Sequence, residues 1–262
     1  MAATTFTLAT QDGHLVHGIL NCASDQPGRK AVVIAHGFAC SQHEYLYEAA
    51  QRYFNAQGYD VIRFGFYGSG EKARRLEQCD LTTHAKDLNT VLDHFSPQYG
   101  TLFLAGHSFG GLTALIANPD NVRAVSFWDT TLYPDTRFAE EDVTFEPSLQ
   151  AYRYRSFVDV LIGAAMVHEA NNLDEGKLNA LAAQFKKPAQ FLFAADGTVR
   201  SHEDAFFEAI PGPKERAVIQ GADHFFTNGN TADQLLSRSL AWFQRFPQPT
   251  LAPARKPPDI KP

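Results

Sequence analysis

The sequence is poor in the residues and runs that mark several classes of protein. Its 262 residues include three cysteines, two tryptophans and two methionines. The cysteines are too scattered for a disulfide framework or a zinc site. The chain has no stretch of about 18 apolar residues, so nothing in it predicts a membrane span. It also has no block of five like charges, and its formal net charge is −6, which argues against nucleic acid and anionic membranes as partners.

The start of the chain lacks a basic segment followed by an apolar stretch, which is the pattern of a secretory signal. Together with the few cysteines, this predicts a protein of the reducing cytoplasm. Glycine-rich phosphate loops, metal-ligand clusters and dinucleotide fingerprints are also missing. We therefore predict that the protein uses no cofactor and no metal. With 44% hydrophobic residues, the chain can bury a sizeable core.

What the chain does contain is an alternation of apolar, β-branched runs with amphipathic stretches, the pattern of a parallel sheet covered by helices. We predict an α/β fold with a mostly parallel central sheet, whose first two strands form an antiparallel hairpin at its edge. The predicted strands are 6–9, 16–21, 31–35, 60–64, 101–105, 124–128, 190–194 and 215–219. The predicted helices between them are 43–57, 80–95, 109–117, 202–209 and 231–245.

Residues 132–187 break this alternation, because they hold helical patterns over 148–170 and 174–185 but no convincing strand. We predict a small helical cap here, inserted into a core made of 1–131 and 188–246. Residues 247–262 include six prolines and predict a disordered tail, since such a segment cannot build a core.

The most informative segment is Gly106-His107-Ser108-Phe109-Gly110, a G-x-S-x-G sequence between a predicted strand and a predicted helix. A sharp strand-to-helix turn exposes the serine hydroxyl, and a side chain at either glycine would collide with the neighbouring strand or helix. The helix N-terminus beside the serine favours negative charge there. The segment predicts that Ser108 is a catalytic nucleophile.

A serine needs a base at neutral pH, and the base in turn needs an acid that fixes its tautomer. His224 follows the last predicted strand and is the best base. For the acid, Asp196 follows the strand 190–194 and gives the order Ser108, Asp196, His224, which is typical of this kind of turn. Asp129, after the strand 124–128, and Asp223 remain alternatives.

A developing oxyanion needs preorganised backbone donors. His36-Gly37-Phe38 follows the strand 31–35 directly, so its loop opens at the same edge of the sheet as Ser108. We predict that the amides of Phe38 and Phe109 form the oxyanion hole.

These segments resemble those of serine hydrolases of the α/β-hydrolase fold. The resemblance covers roughly residues 5–246 and rests on HGF at 36–38, GHSFGG at 106–111, ADGTV at 195–199 and GADHF at 221–225. Within that fold, the chain is similar to the esterase and serine-aminopeptidase-like group that includes bacterial cinnamoyl and feruloyl esterases. The resemblance implies acyl transfer to water through an acyl-serine. One departure is Gly65, which stands where many relatives have an aspartate.

The predicted cap is rich in aromatic residues, which favours an apolar pocket for an aryl or short acyl group. The predicted substrate contacts are His107, Tyr133, Phe138, Tyr152 and His168. We therefore predict a serine esterase whose partners are a small or medium-sized ester and water. A thioesterase, a peptidase or amidase, a cofactor-free peroxidase and a slow-turnover ligand receptor are the alternatives, and the sequence does not predict an oligomeric state.

Overall fold

The computed structural model describes residues 3–23, 30–134, 138, 142–155, 158–197 and 204–247. Its strands are β1 Ala3–Ala9, β2 Leu15–Asn21, β3 Lys30–Ala35, β4 Tyr59–Gly65, β5 Thr101–His107, β6 Val125–Trp128, β7 Val143–Glu146, β8 Ala151–Arg155, β9 Asp159–Ile162, β10 Ala189–Ala194 and β11 Lys214–Ile219. Its helices are α1 Tyr45–Ala56, α2 Leu81–Phe95, α3 Phe109–Ala117, α4 Ala164–Asn171, α5 Glu175–Gln184, α6 Asp204–Ala209 and α7 Thr231–Gln244.

A sheet of eight strands forms the centre of the molecule, in the order β1-β2-β4-β3-β5-β6-β10-β11. The β1–β2 and β2–β4 pairs are antiparallel, and every other pair in this sheet is parallel. The predicted fold class is therefore confirmed, and each predicted strand of the core is present. Because parallel strands share one carboxyl edge, the segments after β3, β5, β6, β10 and β11 meet there.

The apolar residues of β3 show how the sheet is covered on both faces. Val32 and Ile34 pack in the cluster that contains α1 and α7, whereas Ala31 and Val33 pack in the cluster that contains α2 and α3. Such two-sided burial is why the strand is a continuous apolar run without alternation. The start of α2 is fixed by Asp80, whose carboxylate accepts a hydrogen bond from the amide of Thr83.

The insertion differs from the prediction of a purely helical cap. Its first half forms a three-stranded antiparallel sheet of β7, β8 and β9, and its second half forms α4 and α5. The expected helix over 148–170 is therefore wrong up to residue 162, whereas that over 174–185 corresponds to α5. Of the predicted tail at 247–262, residues 248–262 lie outside the described residues. In the described part of the chain, no helix is long and apolar enough to cross a membrane.

Candidate active site

Ser108 stands at a sharp turn between β5 and α3. Its φ is +54°, which is a strained value for a residue with a side chain. The turn is possible because its glycines leave no room for side chains. A Cβ at Gly106 would lie 2.7 Å from the Cα of Gly111, and one at Gly110 would lie 2.2 Å from the carbonyl oxygen of Ala35. The serine is therefore held by close packing of the turn against β3 and α3.

His224 and Asp129 form a buried pair next to this turn. The Nδ1 of His224 lies 2.6 Å from the Oδ2 of Asp129. Asp129 is fully buried, and His224 is 6% exposed. The other carboxylate oxygen accepts the amide N–H of Ala194 at 3.0 Å. Because a carboxylate accepts hydrogen bonds, Nδ1 of a neutral His224 carries the proton, which leaves the lone pair on Nε2 to act as a base.

The structure contradicts the preference for Asp196 as the partner of His224. Asp196 is exposed, and its amide donates to the carbonyl of Ala222 at 2.9 Å. The residue after it, Gly197, is the one that faces the pair, since a Cβ there would lie 2.5 Å from the Oδ2 of Asp129. The turn after β10 thus makes room for the carboxylate that β6 supplies.

Asp223, the third alternative, is engaged in its own turn. Its carboxylate accepts the amide N–H of Thr227 at 2.6 Å and also pairs with the hydroxyl of that threonine. This local capping leaves Asp129 as the carboxylate on the imidazole of His224.

Backbone contacts connect Ser108 to the end of β6. The amide of Ser108 donates to the carbonyl of Trp128 at 2.9 Å, and the amide of Thr131 donates to the carbonyl of Ser108 at 3.2 Å. Among the described residues, the hydroxyl of Ser108 has its hydrogen-bond contact with Thr131 Oγ1, at 3.4 Å, rather than with His224. Long contacts of this kind are common in sites without substrate.

The two predicted oxyanion donors lie on either side of Ser108, Phe38 in the loop after β3 and Phe109 at the start of α3. Phe38 follows Gly37, and a Cβ at Gly37 would lie 3.2 Å from the Cβ of Ser108. Phe109 is the first residue of α3, so its amide has no partner inside the helix. The two rings pack together with centroids 5.2 Å apart.

The predicted substrate contacts separate into different environments. Phe138 is fully buried and packs against Phe38 and Phe109, with ring centroids 5.4 and 6.1 Å away. Tyr133 packs at the edge of the same apolar cluster. Tyr152 packs against the half-exposed Phe145 on β7.

His168 lies on α4, where it lines a groove of about 330 Å³ between α2, α3 and α5. The residues that line this groove include Leu81, Ile116 and Leu181 and do not include Ser108. The structure therefore does not bring His168 to the serine.

The structure does not support the prediction that His107 contacts substrate, because its side chain is fully buried and both of its ring nitrogens are engaged. It bonds to the hydroxyl of Tyr47 and to the carbonyl of His224, each at 2.8 Å. Burial lowers the pKa of His107 to about 3, which keeps the ring neutral. His36 is also buried, and desolvation lowers its pKa to about 4.

Two residues of this region, Tyr47 and Thr131, were not foreseen. The buried side of α1 is that of Leu46 and Tyr47. Tyr45 is 61% exposed. Thr131 could have been noticed, because it lies only three residues after the end of β6, at the same edge as Asp129. In the described ranges, no group of three or more histidine, cysteine, aspartate or glutamate side chains could hold a metal ion.

Comparison with known proteins agrees with this architecture. Residues 26–128, less than half of the chain, match a family model described as serine aminopeptidase, S33. No curated protein matches the sequence.

Several solved structures share the fold at low sequence identity. The esterase domain of a Rhodothermus marinus protein is 21% identical with a TM-score of 0.72, covering 94% of this chain and 99% of that one. Est1E of Butyrivibrio proteoclasticus, solved with ferulic acid bound, is 17% identical with a TM-score of 0.75, covering 91% and 99%. The Pyrococcus furiosus esterase Pf2001 is 16% identical with a TM-score of 0.69, covering 94% and 93%. The chain thus has the α/β-hydrolase fold, as its sequence motifs predicted.

Proposed function

We propose that the protein is a carboxylic ester hydrolase in which Ser108 is the nucleophile, His224 the general base and Asp129 the acid that orients the base. The observation that carries the proposal is the buried 2.6 Å contact between His224 and Asp129, beside a serine held at positive φ. A serine hydroxyl, an imidazole with a free Nε2 and a buried carboxylate on Nδ1 are the components of nucleophilic acyl transfer.

The reaction would proceed in two halves. His224 Nε2 takes the proton of the Ser108 hydroxyl as Oγ attacks the ester carbonyl, and the imidazolium then gives that proton to the leaving alcohol. A water molecule, activated by the same nitrogen, attacks the acyl-serine and releases the acid. Asp129 stabilises the imidazolium in both halves, because one of its oxygens accepts from Nδ1 and the other is fixed by the amide of Ala194.

The amides of Phe38 and Phe109 are our candidates for the oxyanion hole. Phe38 lies in the loop after β3 and Phe109 begins α3, and the two follow residues packed against each other, Gly37 and Ser108. Two preorganised donors of this kind typically contribute a factor of about 10²–10³ each to turnover.

We further propose that the substrate is a small or medium-sized ester with an aryl or short acyl group. The support is the aromatic cluster of Phe38, Phe109, Phe138 and Tyr154, whose ring centroids lie between 5.0 and 6.1 Å apart. Est1E, which shares the fold, binds the aromatic molecule ferulic acid. Aromatic side chains suit contact with flat apolar groups.

The experiment is hydrolysis of p-nitrophenyl acetate and butyrate by the wild type and by Ser108→Ala. We expect the variant to lose a factor of about 10⁴–10⁶ in turnover and to keep its melting temperature. Ser69→Ala, which changes an exposed serine, is the matched control and should retain full activity. A fluorophosphonate should label the wild type and the control but not Ser108→Ala.

Undiminished turnover by Ser108→Ala, or labelling of another serine, would refute the proposal. A panel of aryl and alkyl esters, thioesters and amides then tests the substrate class. Trace turnover of every ester, with tight binding of one of them, would identify a receptor instead.

A further inference from the structure

Three hydrogen bonds connect the loop after β3 to the loop after β11 through the inside of the protein. The amide of Gly37 lies 2.9 Å from the hydroxyl oxygen of Tyr47, and that oxygen lies 2.8 Å from Nδ1 of His107. Nε2 of the same ring lies 2.8 Å from the carbonyl oxygen of His224. We call Tyr47 and His107 together the Tyr47–His107 bridge.

The donors and acceptors along this bridge are fixed by chemistry. A carbonyl can only accept, so Nε2 of His107 carries the ring proton. Nδ1 of the neutral ring must then accept, and the hydroxyl of Tyr47 donates to it. The oxygen of Tyr47 accepts from the amide of Gly37, which can only donate. The direction of each of the three hydrogen bonds is therefore fixed, and none of them can be reversed without losing another.

The bridge is also closed to water. The side chains of Tyr47 and His107 are both 0% exposed, and desolvation raises the pKa of Tyr47 well above its usual range. Buried polar groups cannot exchange a lost partner for water, so each lost bond costs the full desolvation of the group left behind. The bridge is thus stiffer than a surface hydrogen bond of the same length.

Both ends of the bridge lie at residues that the proposed reaction uses. Gly37 packs against Ser108 and precedes Phe38, so its amide fixes the loop that carries one oxyanion donor. The carbonyl of His224 belongs to the residue whose Nδ1 binds Asp129. His107 precedes Ser108 in the chain, and its ring packs on that of His224 with centroids 4.7 Å apart.

We infer that Tyr47 and His107 are positioning residues, which hold the Gly37–Phe38 loop and the His224 loop in register with each other on either side of Ser108. The inference rests on the proposed function. The polar atoms of both side chains are engaged with Gly37, with each other and with His224, so their role is to position these loops and not to bind substrate. Their effect would appear in turnover, because a displacement of about 1 Å in the reacting groups can cost a factor of about 10².

The first test is Tyr47→Phe, which deletes one oxygen atom and leaves the amide of Gly37 and Nδ1 of His107 without partners. We expect kcat to fall roughly 10- to 100-fold with KM changed by less than about threefold. The matched control is Tyr99→Phe. Tyr99 is also buried, and its hydroxyl donates to the buried carboxylate of Asp60 at 2.9 Å. Asp60 lies at the amino end of β4 and Tyr99 just before the amino end of β5, whereas Ser108 follows the carboxyl end of β5.

Both variants delete a buried hydroxyl, so both should lower the melting temperature, but only Tyr47→Phe should lower kcat. Equal kcat in the two variants, or a change in KM alone, would overturn the positioning role.

The second test divides the bridge at His107. His107→Gln places an amide donor near the position of Nε2 and can keep the contact with His224, whereas His107→Leu keeps neither contact. We expect the glutamine variant to retain about tenfold more kcat than the leucine variant. Equal kcat in both would show that only the volume of the side chain matters and would overturn the inference.

The third test does not depend on hydrolysis. In ¹⁵N NMR spectra of the wild type, with the His107 signals identified by their absence in His107→Gln, the ring should be the neutral Nε2–H tautomer from pH 8 to about 5. A ring protonated on Nδ1, or one that titrates near 6.5, would overturn the bridge itself. If Ser108→Ala remains active, the proposed function fails while this result still stands. If the tautomer is as expected and Tyr47→Phe keeps full kcat, the positioning role alone fails.

Discussion

The ends of β6 and β10 look alike in sequence and differ in what they supply. Each is a buried parallel strand that is followed within two residues by an aspartate. Asp129 after β6 is fully buried and binds His224, whereas Asp196 after β10 is exposed. The two neighbouring strand ends therefore contribute different parts of the site. The end of β6 provides the carboxylate, and the end of β10 provides the amide of Ala194 and the space at Gly197.

The backbone explains this division. Asp129 has a φ of +38°, and its amide donates to the carbonyl of Leu192 at 2.8 Å. The residue is therefore still bonded to β10 while its side chain turns over the edge of the sheet. Asp196 is already in a turn beyond the edge, so its carboxylate extends into solvent. Asp129 directly follows the last residue of β6, whereas Asp196 stands one residue further from the end of β10. This difference of one residue separates the buried carboxylate from the exposed one.

The largest effect that separates the two ends is expected from Asp129→Asn. An asparagine in this place favours the wrong tautomer of His224 and should lower turnover about 10⁴-fold. Asp196→Asn is the matched control, because it makes the same chemical change at the other strand end, and it should cost less than about tenfold. Both are measured with one activated ester. A larger loss in Asp196→Asn would reverse the assignment of the acid.

The space at the end of β10 can be tested by Gly197→Ala. The added methyl group would lie 2.5 Å from the Oδ2 of Asp129, so the carboxylate or the turn has to move, and we expect turnover to fall roughly 10- to 100-fold. Gly212→Ala is the control, since a Cβ there would lie 3.6 Å from its nearest neighbour. Normal turnover in Gly197→Ala would show that the turn can move away without displacing the carboxylate of Asp129.

Another buried histidine, His84, lies on α2 and not at the end of a strand. His84 stacks on Phe66 at 4.5 Å, and desolvation lowers its pKa from 6.5 to about 3. As the pH falls below 6.5, the unfolded chain takes up a proton at this residue that the native protein does not. The free energy of unfolding should therefore decrease with falling pH until about pH 3.

His84→Gln removes the group that takes up this proton in the unfolded chain. The free energy of unfolding of the variant should therefore depend less steeply on pH than that of the wild type. Between pH 6 and pH 4, the difference in slope should approach about 1.4 kcal/mol per pH unit, a factor of about ten in the unfolding constant. Urea unfolding of both proteins at several pH values measures it. Parallel curves would show that His84 is protonated in the native state or stays neutral in both states.

The smallest effect is expected at the other side chain that the end of β6 presents to the serine. Thr131→Val removes the hydroxyl that lies 3.4 Å from Ser108 Oγ and keeps the shape. Because this contact is long, we expect turnover to change by less than about fivefold. A loss as large as that of Asp129→Asn would make Thr131 part of the proton path.

The sequence predicted the core of the fold and the positions of Ser108 and His224 at its edge, but it paired His224 with Asp196, whereas the structure pairs it with Asp129. The order serine, aspartate, histidine is satisfied equally by Asp129 and Asp196, so order could not decide between them. Asp196 was preferred because it follows the strand 190–194, and Gly197 comes directly after it. In the structure, the glycine matters instead, because its missing side chain leaves room for Asp129. That depends on three-dimensional packing between strands, which no local pattern contains.

The insertion was mispredicted for a different reason, since a local signal was present there. Tyr152 and Tyr154 alternate with Arg153 and Arg155 along β8, the two-residue period of a strand with one face buried. The tyrosines face the apolar side, and the arginines form ion pairs with Asp159. The helical interpretation of 148–170 overlooked this alternation. Within that range, the described helix begins only at Ala164.

The 2.6 Å contact between His224 and Asp129 joins residues 95 positions apart, and this has a consequence for the order of events during folding. Closing so long a loop is slow, because the chain loses conformational entropy before the contact forms and stabilises the fold. The histidine follows β11, which lies at the outer edge of the sheet, so the pair can form only after the last strand has docked beside β10. Recovery of ester hydrolysis during refolding should therefore lag behind the recovery of secondary structure. The rate at which turnover returns would then report the docking of β11, the final step of folding.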